Sequence, residues 1–506
     1  MPRIALVLGA VAASACADGV PVPGAPGGGV DAPVGVPMSA AQDAGPADAF
    51  TGAREEPVFA GEVPAVPGSM SPCGAPGCSA GCLALEGPAC DTLEADCQER
   101  VLAALACVRP GSETLPPVSV IDTSTFRDLV EEGLAEAREE RAEFAEAEWV
   151  FGRALALLGL APAGWDLAEG FVDRQVEGVQ AFYRPEDRAI TLVERGDGGQ
   201  SADGMFVLAH ELVHAQQDAE VDLQSLLDVS VDETDSAIAV RCWIEGEANL
   251  YANQAMLLLS GQRITAEELG QRGMARLPVL VDLARASEDV FAQLQILVPY
   301  LAGEAYMTGL WLQRGDARPG SVSELPGVVL GFLGAPGLLP TSGEVLDCAL
   351  PSAPEGFGER WPDSLGAAGL LALGATTSGA DALQVLEDAR LWRADRFAGF
   401  HAPDLDEVAL AWRIRLADTQ SALALQQRLG EVGAEAWRVS SRGPEVLLLA
   451  ADDPASLQAW LEQASGGCVP PGLQESGVEE TGAEVTGAGA RWGTGGARWA
   501  GACASP

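Results

Sequence analysis

The chain has no lysine, so its 30 basic side chains are all arginine, against 73 aspartate and glutamate residues. The resulting formal net charge of −43 at pH 7 would repel a polyanion at every approach, and we therefore expect no nucleic-acid partner. Asparagine is also scarce, with two residues in 506, a bias typical of GC-rich codons rather than of a function. Only three histidines are present, so any imidazole chemistry must use this small set.

Long apolar runs are missing as well. After the N-terminus, no stretch of about 18 residues escapes interruption by Gly or Pro, and we expect no transmembrane helix. The first 15 residues instead combine Arg3 with an apolar run and small residues, as in an export signal. The sequence ASAC, ending at Cys16, is similar to a bacterial lipoprotein processing site. We expect Cys16 to be lipidated and to anchor the protein to a membrane facing the periplasm or cell exterior, with simple secretion and an uncleaved segment as alternatives.

The length of 506 residues is sufficient for two to four domains. Composition and periodicity predict an α+β protein in six parts. These are a signal peptide (1–15), a disordered tether (16–69), a Cys-rich disulfide segment (70–110), a mainly helical domain with a short upstream β-hairpin (120–350), a small C-terminal α+β module (351–466) and a low-complexity tail (467–506).

The cysteine count is consistent with export. If Cys16 carries lipid, ten of the eleven cysteines remain, an even number, and disulfides persist where the environment oxidises. Six of them lie within the 35 residues from Cys73 to Cys107. We expect this Cys-rich segment to be a rigid spacer; a stapled binding module and a Cys-type zinc site are the alternatives.

Hydrophobic spacing predicts the elements around the histidines. The predicted elements are amphipathic helices over 123–160, a β-hairpin from the runs 179–183 and 189–193, a helix from about Ser201, a helix from about Asp232 to Leu259, and further helices over 266–313. From Glu407 onward the pattern changes to β-α-β-β-α, the order of a small α+β module.

The segment HELVH, from His210 to His214, carries the clearest chemistry. Residues four apart lie on one face of a helix, so both imidazoles can bind one ion. Glu211 then flanks the open coordination position, where it can take a proton from a zinc-bound water whose pKa is lowered to about 7. A chance match is the alternative, but with three histidines this arrangement arises by chance in about one chain in a thousand.

Catalytic zinc normally takes a third protein ligand and leaves the fourth position to water. The spacing excludes metzincins, because that class needs a Gly and then a His or Asp after HExxH, and Glu220 stands at the last of these positions. Asp218 continues the same helical face but lies two turns from His210, too far to bind the same ion. We expect it either to contact a ligand side chain without binding the metal or to face solvent. The third ligand should therefore come from a later helix.

The segment WIEGEAN, at residues 243–249, resembles the third-ligand segment of the gluzincin branch of zinc peptidases, which includes thermolysin-like enzymes and aminopeptidases with the sequence WLNEGFA. This resemblance implies a zincin-like metallopeptidase domain over 120–350, with Glu245 as the third ligand of Zn²⁺. Glu247 is the alternative ligand. It points about 200° away from Glu245 around the helix, so only one of them can face the metal.

Two features beside Glu245 bear on the same site. Asn249 stands at the position where an Asp commonly orients one zinc-bound imidazole through a hydrogen bond. Because Asn249 has a neutral amide in place of a carboxylate, we expect it to fill this orienting role more weakly or not at all. The small residues Gly246 and Ala248 predict that this helix packs closely against the HELVH helix.

A further resemblance, over roughly residues 170–400, is to a set of largely uncharacterised bacterial HExxH proteins. The shared features are a hairpin with an aromatic-Pro turn, here AFYRPEDRAITL, and an FPYxxG segment, here VPYLAG at 298–303. A third segment matches at 340–346, but Asp347 stands where His is usual. Gluzincins stabilise the developing oxyanion with a Tyr or His donor, and we favour Tyr300 for this role among the four tyrosines and His401.

We therefore expect an exported Zn²⁺-dependent metallopeptidase that acts on a peptide or protein substrate, with Glu211 as base and then as proton donor to the leaving amine. One rival is a non-catalytic surface lipoprotein that uses the scaffold for binding or architecture. Another is a zymogen, in which the Cys-rich segment covers the cleft with a thiolate on zinc. A binding protein has no need of Glu211, and this favours the enzyme.

Overall fold

The computed structural model describes residues 80–463 except 112–113, 141–143, 165–166, 196–201, 231–232, 263, 319–323, 378–379, 404–406 and 433–436. The predicted signal peptide, Cys16, the tether, the start of the Cys-rich segment and the tail lie outside the described residues. Within them the chain forms 14 α-helices and two small sheets, in agreement with the predicted α+β class.

Ten of the described helices lie before residue 315, and one of them carries the histidine pair. They are α1 (Ala80–Leu83), α2 (Ala95–Val108), α3 (Thr123–Glu140), α4 (Phe144–Leu157), α5 (Leu167–Gly178), α6 (Ala202–Val221), α7 (Leu223–Ser230), α8 (Thr234–Leu259), α9 (Ala266–Arg285) and α10 (Val290–Arg314). Helix α6 contains HELVH, and α8 contains WIEGEAN. Helix α8 packs against α2, α6 and α10, so it is buried on nearly every face, as expected for a central helix.

Local sequence explains where several of these helices begin and end. The Asp122 carboxylate accepts a hydrogen bond from the Thr125 backbone N–H at 2.7 Å at the start of α3. Thr265 and Glu268 form a capping box at the start of α9. Helix α10 ends at Gly315, whose φ of 75° is a left-handed conformation that glycine adopts without strain.

The smaller sheet lies beside α6. It consists of β1 (Val118–Asp122), β2 (Ala181–Arg184) and β3 (Ala189–Glu194), in the order β1-β3-β2. Strands β2 and β3 are the predicted antiparallel hairpin, which is confirmed. Strand β1 pairs parallel to β3 and was not predicted, because it is short and largely exposed and alternates between apolar and polar side chains only from Val118 to Val120.

The larger sheet is antiparallel, with five strands in the order β4-β5-β6-β8-β7. Its strands are β4 (Gly358–Asp363), β5 (Trp392–His401), β6 (Val408–Leu416), β7 (Trp437–Arg442) and β8 (Glu445–Ala451), with helices α11 (Gly366–Thr376), α12 (Ala382–Arg390), α13 (Thr419–Val432) and α14 (Pro454–Gln463). The predicted β-α-β-β-α order after Glu407 is confirmed as β6-α13-β7-β8-α14. Strands β4 and β5 extend this sheet upstream of the predicted pattern.

One apolar core continues from the helices into this sheet. The ring of Phe151 on α4 packs against Trp361 of β4, with centroids 5.3 Å apart, and against Phe397 of β5 at 5.9 Å. The core therefore passes across residue 351 without a break, and the domain boundary placed there stays a prediction.

The described cysteines are mostly oxidised. Cys82 pairs with Cys107 and Cys90 with Cys97, Cys348 is also disulfide-bonded, and Cys242 is free and buried. Such disulfides indicate an oxidising, extracytoplasmic environment. Among the described helices, none has the length and apolar character needed to cross a membrane.

Candidate metal centre

The HELVH residues lie in the buried middle of α6. His210, Glu211 and His214 each have 0% exposed surface, and the candidate ligand atoms of the three lie within 4.8 Å of one another. The two imidazoles lie one turn apart on the same face of the helix, with ring centroids 4.5 Å apart. This buried group could hold a metal ion.

Glu245 on α8 faces the same point. Its Oε2 lies 3.0 Å from His210 Nε2 and 3.5 Å from His214 Nε2, and the two Nε2 atoms are 2.9 Å apart. The three atoms therefore form a compact triangle contributed by two helices. Glu245 is as buried as the histidines, at 0% exposed.

The outer nitrogen of His210 is held by Asn249. His210 Nδ1 lies 3.0 Å from Asn249 Oδ1, while the Asn249 amide nitrogen donates to the backbone carbonyl of Tyr300 at 3.3 Å. Because the amide NH₂ is used by Tyr300, its oxygen must accept from His210 Nδ1–H. His210 then presents an unprotonated Nε2 to the centre.

Gln217 holds His214 in the same way. His214 Nδ1 lies 2.8 Å from Gln217 Oε1, and the Gln217 NH₂ donates to the Ile244 carbonyl and to Glu247 Oε2, both at 3.1 Å. His214 therefore carries a proton on Nδ1, and its Nε2 faces the centre.

Two imidazole Nε2 atoms and a carboxylate oxygen thus converge at about hydrogen-bond distance. Such a group needs a proton or a metal cation among its members, and neutral imidazoles with a carboxylate are suitable ligands for a divalent metal. The remaining oxygen of Glu245, Oε1, is buried and has no hydrogen-bond partner within the described part of the chain. The donor set and this uncompensated oxygen fit a bound metal ion.

Burial and mutual charge shift the pKa values of the three side chains. Burial lowers the pKa of His210, and the neighbouring His214 lowers it further. Burial also opposes charging of His214, but the Glu245 carboxylate outweighs it and raises the pKa of His214 to about 9, so a metal ion that binds here would displace a proton from His214 Nε2. Burial raises the pKa of Glu245, but the two histidines outweigh this effect and lower it, so Glu245 stays ionised, as a metal ligand must.

Helix α10 closes the other side of His210. The ring of Tyr300 stacks on the His210 ring, with centroids 5.9 Å apart and an interplanar angle of 23°. This approach depends on Gly246 and Gly303, because a Cβ on Gly246 would lie 2.2 Å from the carbonyl carbon of Gly303. The predicted close packing at Gly246 therefore occurs against α10 and not against the HELVH helix.

Other residues considered from the sequence lie elsewhere. Asp218 accepts hydrogen bonds from the Tyr183 hydroxyl at 2.9 Å and from the Leu223 backbone N–H at 3.0 Å, and neither partner is a proposed ligand. His401 Nε2 pairs with Glu146 at 2.7 Å at the end of β5. The Asp347 carboxylate, found where His is usual, pairs with Arg415 at 2.7 Å.

Sequence reasoning did not identify the hydrogen-bonded residues that lie behind His214. Gln217 could have been found, since residues three apart in a helix are neighbours and Gln217 follows His214 by three. Glu247, the alternative ligand, faces Gln217 and the buried Arg109. Arg109 gave no local signal, because it lies 138 residues before Glu247 in the chain.

Compared with known proteins, the chain matches no family model, no curated protein and no solved structure. The resemblance to gluzincins therefore depends on the residues quoted for it.

Proposed function

We propose that this protein is an exported zinc-dependent metallopeptidase of the gluzincin type, with His210, His214 and Glu245 as metal ligands and Glu211 as catalytic base. The observation that carries the proposal is the triangle of two imidazole Nε2 atoms and one carboxylate oxygen, with Glu211 beside it. A zincin-like fold of the helical region is part of the same proposal.

Zinc suits the size of this triangle. Zinc–nitrogen and zinc–oxygen bonds of about 2.0–2.1 Å at tetrahedral angles separate ligand atoms by about 3.3 Å. The measured separations of 2.9, 3.0 and 3.5 Å bracket this value. Three protein ligands leave one tetrahedral position open, as in catalytic zinc sites. When bound there, zinc would polarise a substrate carbonyl and lower the pKa of water to about 7.

The remaining steps belong to the chain's own residues. Glu211 lies next to His210 and within the 4.8 Å group, but it is not needed to complete the three-ligand set. Its carboxylate would accept the proton of the attacking water and then donate it to the leaving amine. Tyr300, whose ring covers His210, is the proposed donor to the developing oxyanion.

Metal content tests the ligand assignment. We expect the purified wild-type protein to hold one zinc per chain and His210→Ala and Glu245→Ala to lose it. Glu304→Ala is a matched control, since Glu304 is another buried glutamate, and it pairs with Arg276 of α9 and Asn253 of α8, neither of which is a proposed ligand. Undiminished zinc in Glu245→Ala would overturn the third-ligand assignment.

Hydrolysis tests the enzyme assignment. The zinc-loaded protein should cleave a panel of peptides and denatured proteins, and a chelator should abolish this activity. A zinc-loaded wild type that cleaves none of the panel would count against a peptidase.

One observation favours the non-catalytic candidate, a metal-stabilised surface protein. All four central side chains have 0% exposed surface, so a substrate reaches them only if the surrounding structure moves. In that case Glu211→Gln would change neither function nor zinc content, whereas in the enzyme it removes hydrolysis alone.

The lipid anchor at Cys16 is a separate part of the proposal. Labelled fatty acid should be incorporated by cells expressing the wild-type chain and not by cells expressing Cys16→Ser. Equal labelling of both would show that Cys16 carries no lipid.

A further inference from the structure

A fully buried arginine lies behind the metal centre. Arg109 directly follows α2, the helix that carries Cys97 and Cys107, and its side chain is 0% exposed. Burying a guanidinium is unfavourable unless it is paired and hydrogen-bonded. The Arg109 guanidinium donates to Glu247 and Gln216 at 2.9 Å and to Glu220 at 2.9 and 3.1 Å, so it links the Cys-rich segment to α6 and α8.

A continuous chain of hydrogen bonds leads from Arg109 to a proposed ligand. Glu247 accepts from Arg109 through Oε1 and from the Gln217 NH₂ through Oε2. The Gln217 oxygen accepts in turn from His214 Nδ1. Each residue of this Arg109–Glu247–Gln217 chain contacts the next directly, and its last member holds His214.

This chain of hydrogen bonds determines which nitrogen of His214 carries the proton. A glutamine amide can rotate by 180° and offer either its oxygen or its NH₂ to the imidazole. The Glu247 carboxylate only accepts hydrogen bonds, so Gln217 must direct its NH₂ to Glu247 and its oxygen to His214. Were the amide reversed, His214 would be protonated on Nε2 and could not bind metal. Glu247 in turn forms a buried ion pair with Arg109 at 2.8 Å, which compensates for the burial of both side chains.

We propose that Arg109 is a positioning residue for the metal centre, acting through Glu247 and Gln217 to fix the tautomer and orientation of His214. This inference rests on the proposed metal site. It gives the Cys-rich segment a role beyond a spacer: the segment supplies the buried cation on which one ligand depends. It also disfavours a removable inhibitory segment, because the four described cysteines of that segment are all paired and Arg109 lies behind the ligands rather than over the open position.

Zinc affinity of the full chain tests this inference. We expect Arg109→Met to bind Zn²⁺ roughly 10- to 100-fold more weakly than the wild type in competition with a chromophoric chelator. Arg413→Met is the matched control, because Arg413 is 1% exposed and is bonded to the buried Glu445 at 3.3 Å in the larger sheet. Its affinity should stay within about twofold of wild type. Unchanged zinc affinity in Arg109→Met, or an equal loss in Arg413→Met, overturns the inference.

A double-mutant cycle tests the route. Gln217→Met alone should weaken zinc binding. The double variant with Arg109→Met should lose no more zinc affinity than the weaker-binding of the two single variants, because both residues act through the same hydrogen-bond chain. Losses of zinc affinity that multiply in the double variant would overturn the route.

If Arg109→Met does not fold, Glu247→Gln answers the same question, since a neutral amide no longer dictates the orientation of Gln217. Wild-type zinc affinity in Glu247→Gln overturns the inference. A wild type that binds no zinc refutes the proposed function, whereas a zinc-binding wild type with an unaffected Arg109→Met refutes this inference alone.

Discussion

Helices α8 and α10 cross in direct backbone contact, and this crossing positions Glu245 and Tyr300. A methyl group at Gly246 would lie 2.2 Å from the Gly303 carbonyl carbon, whereas ordinary contacts begin at 3.4 Å. The backbones would have to separate by roughly 1.2 Å, because no flexible side chain lies there to move aside. We expect Gly246→Ala to lower the free energy of unfolding by about 1–3 kcal/mol, the usual range for overpacking, or more.

The same substitution should weaken the metal site. Ligand distances in a working site lie within about 0.2 Å of their ideal values, and Glu245 is the residue before Gly246. A shift of α8 several times larger would separate the Glu245 carboxylate from the two imidazoles. We expect zinc affinity to fall by about tenfold or more.

Denaturant unfolding of the metal-free and zinc-loaded proteins measures both effects. The control is Gly430→Ala in α13, where a Cβ would meet nothing within 4 Å. Replacing a helical glycine with room for a methyl group should stabilise the protein by about 0.5–1 kcal/mol. The two substitutions are chemically identical, so opposite signs would isolate the helix crossing. Wild-type stability and zinc affinity in Gly246→Ala would refute the packing argument.

Three further predictions follow from the described residues. Glu211→Gln should keep its zinc while peptide hydrolysis falls by about 10²–10⁴-fold, as measured by metal content and initial rates; loss of the metal would instead make Glu211 a ligand. Burial, and then the charge of Asp395, raise the pKa of Asp235 to about 8. Between about pH 4 and pH 8 the folded protein therefore binds one proton more than the unfolded chain, and its free energy of unfolding falls as the pH rises through that window. Asp235→Asn should reduce this slope in urea unfolding, by up to about 1 kcal/mol per pH unit, and an unchanged slope would contradict the raised pKa. Replacing Cys82 and Cys107 by Ala should lower the free energy of unfolding by about 3 kcal/mol, because their disulfide closes a 25-residue separation; calorimetry showing no loss would contradict this.

The elements nearest the histidines could be predicted because their signals are local. The four-residue spacing of His210 and His214 fixes a shared helical face whatever the rest of the fold does. The hairpin over β2 and β3 was equally predictable from two β-forming runs around a turn. Strand β1 was not, since a short, exposed strand depends on its partner for pairing and its alternation covers only three residues.

Contacts between distant segments could not be read in this way. The small side chain of Gly246 indicates a close approach but not the approaching helix, and successive helical residues point about 100° apart. With Glu245 turned toward α6, Gly246 faces another neighbour, which the structure identifies as α10. Asp218 was considered near the ligands because it continues their helical face. Its oxygens instead accept from the Tyr183 hydroxyl and the Leu223 backbone N–H, and the neutral Gln217 holds His214.

The central group itself bears on the choice between enzyme and scaffold. In the proposed site, two histidines and Glu245 would provide the three protein ligands that a tetrahedral site with an open position requires. A structural zinc site is usually closed by a fourth protein ligand, and burying a further carboxylate costs desolvation energy that a scaffold does not recover. Glu211 is nonetheless fully buried within 4.8 Å of the two imidazoles. A carboxylate kept at that cost beside an open position is explained by a proton-transfer role, and for this reason the proposed peptidase accounts for the centre better than a metal-stabilised scaffold does.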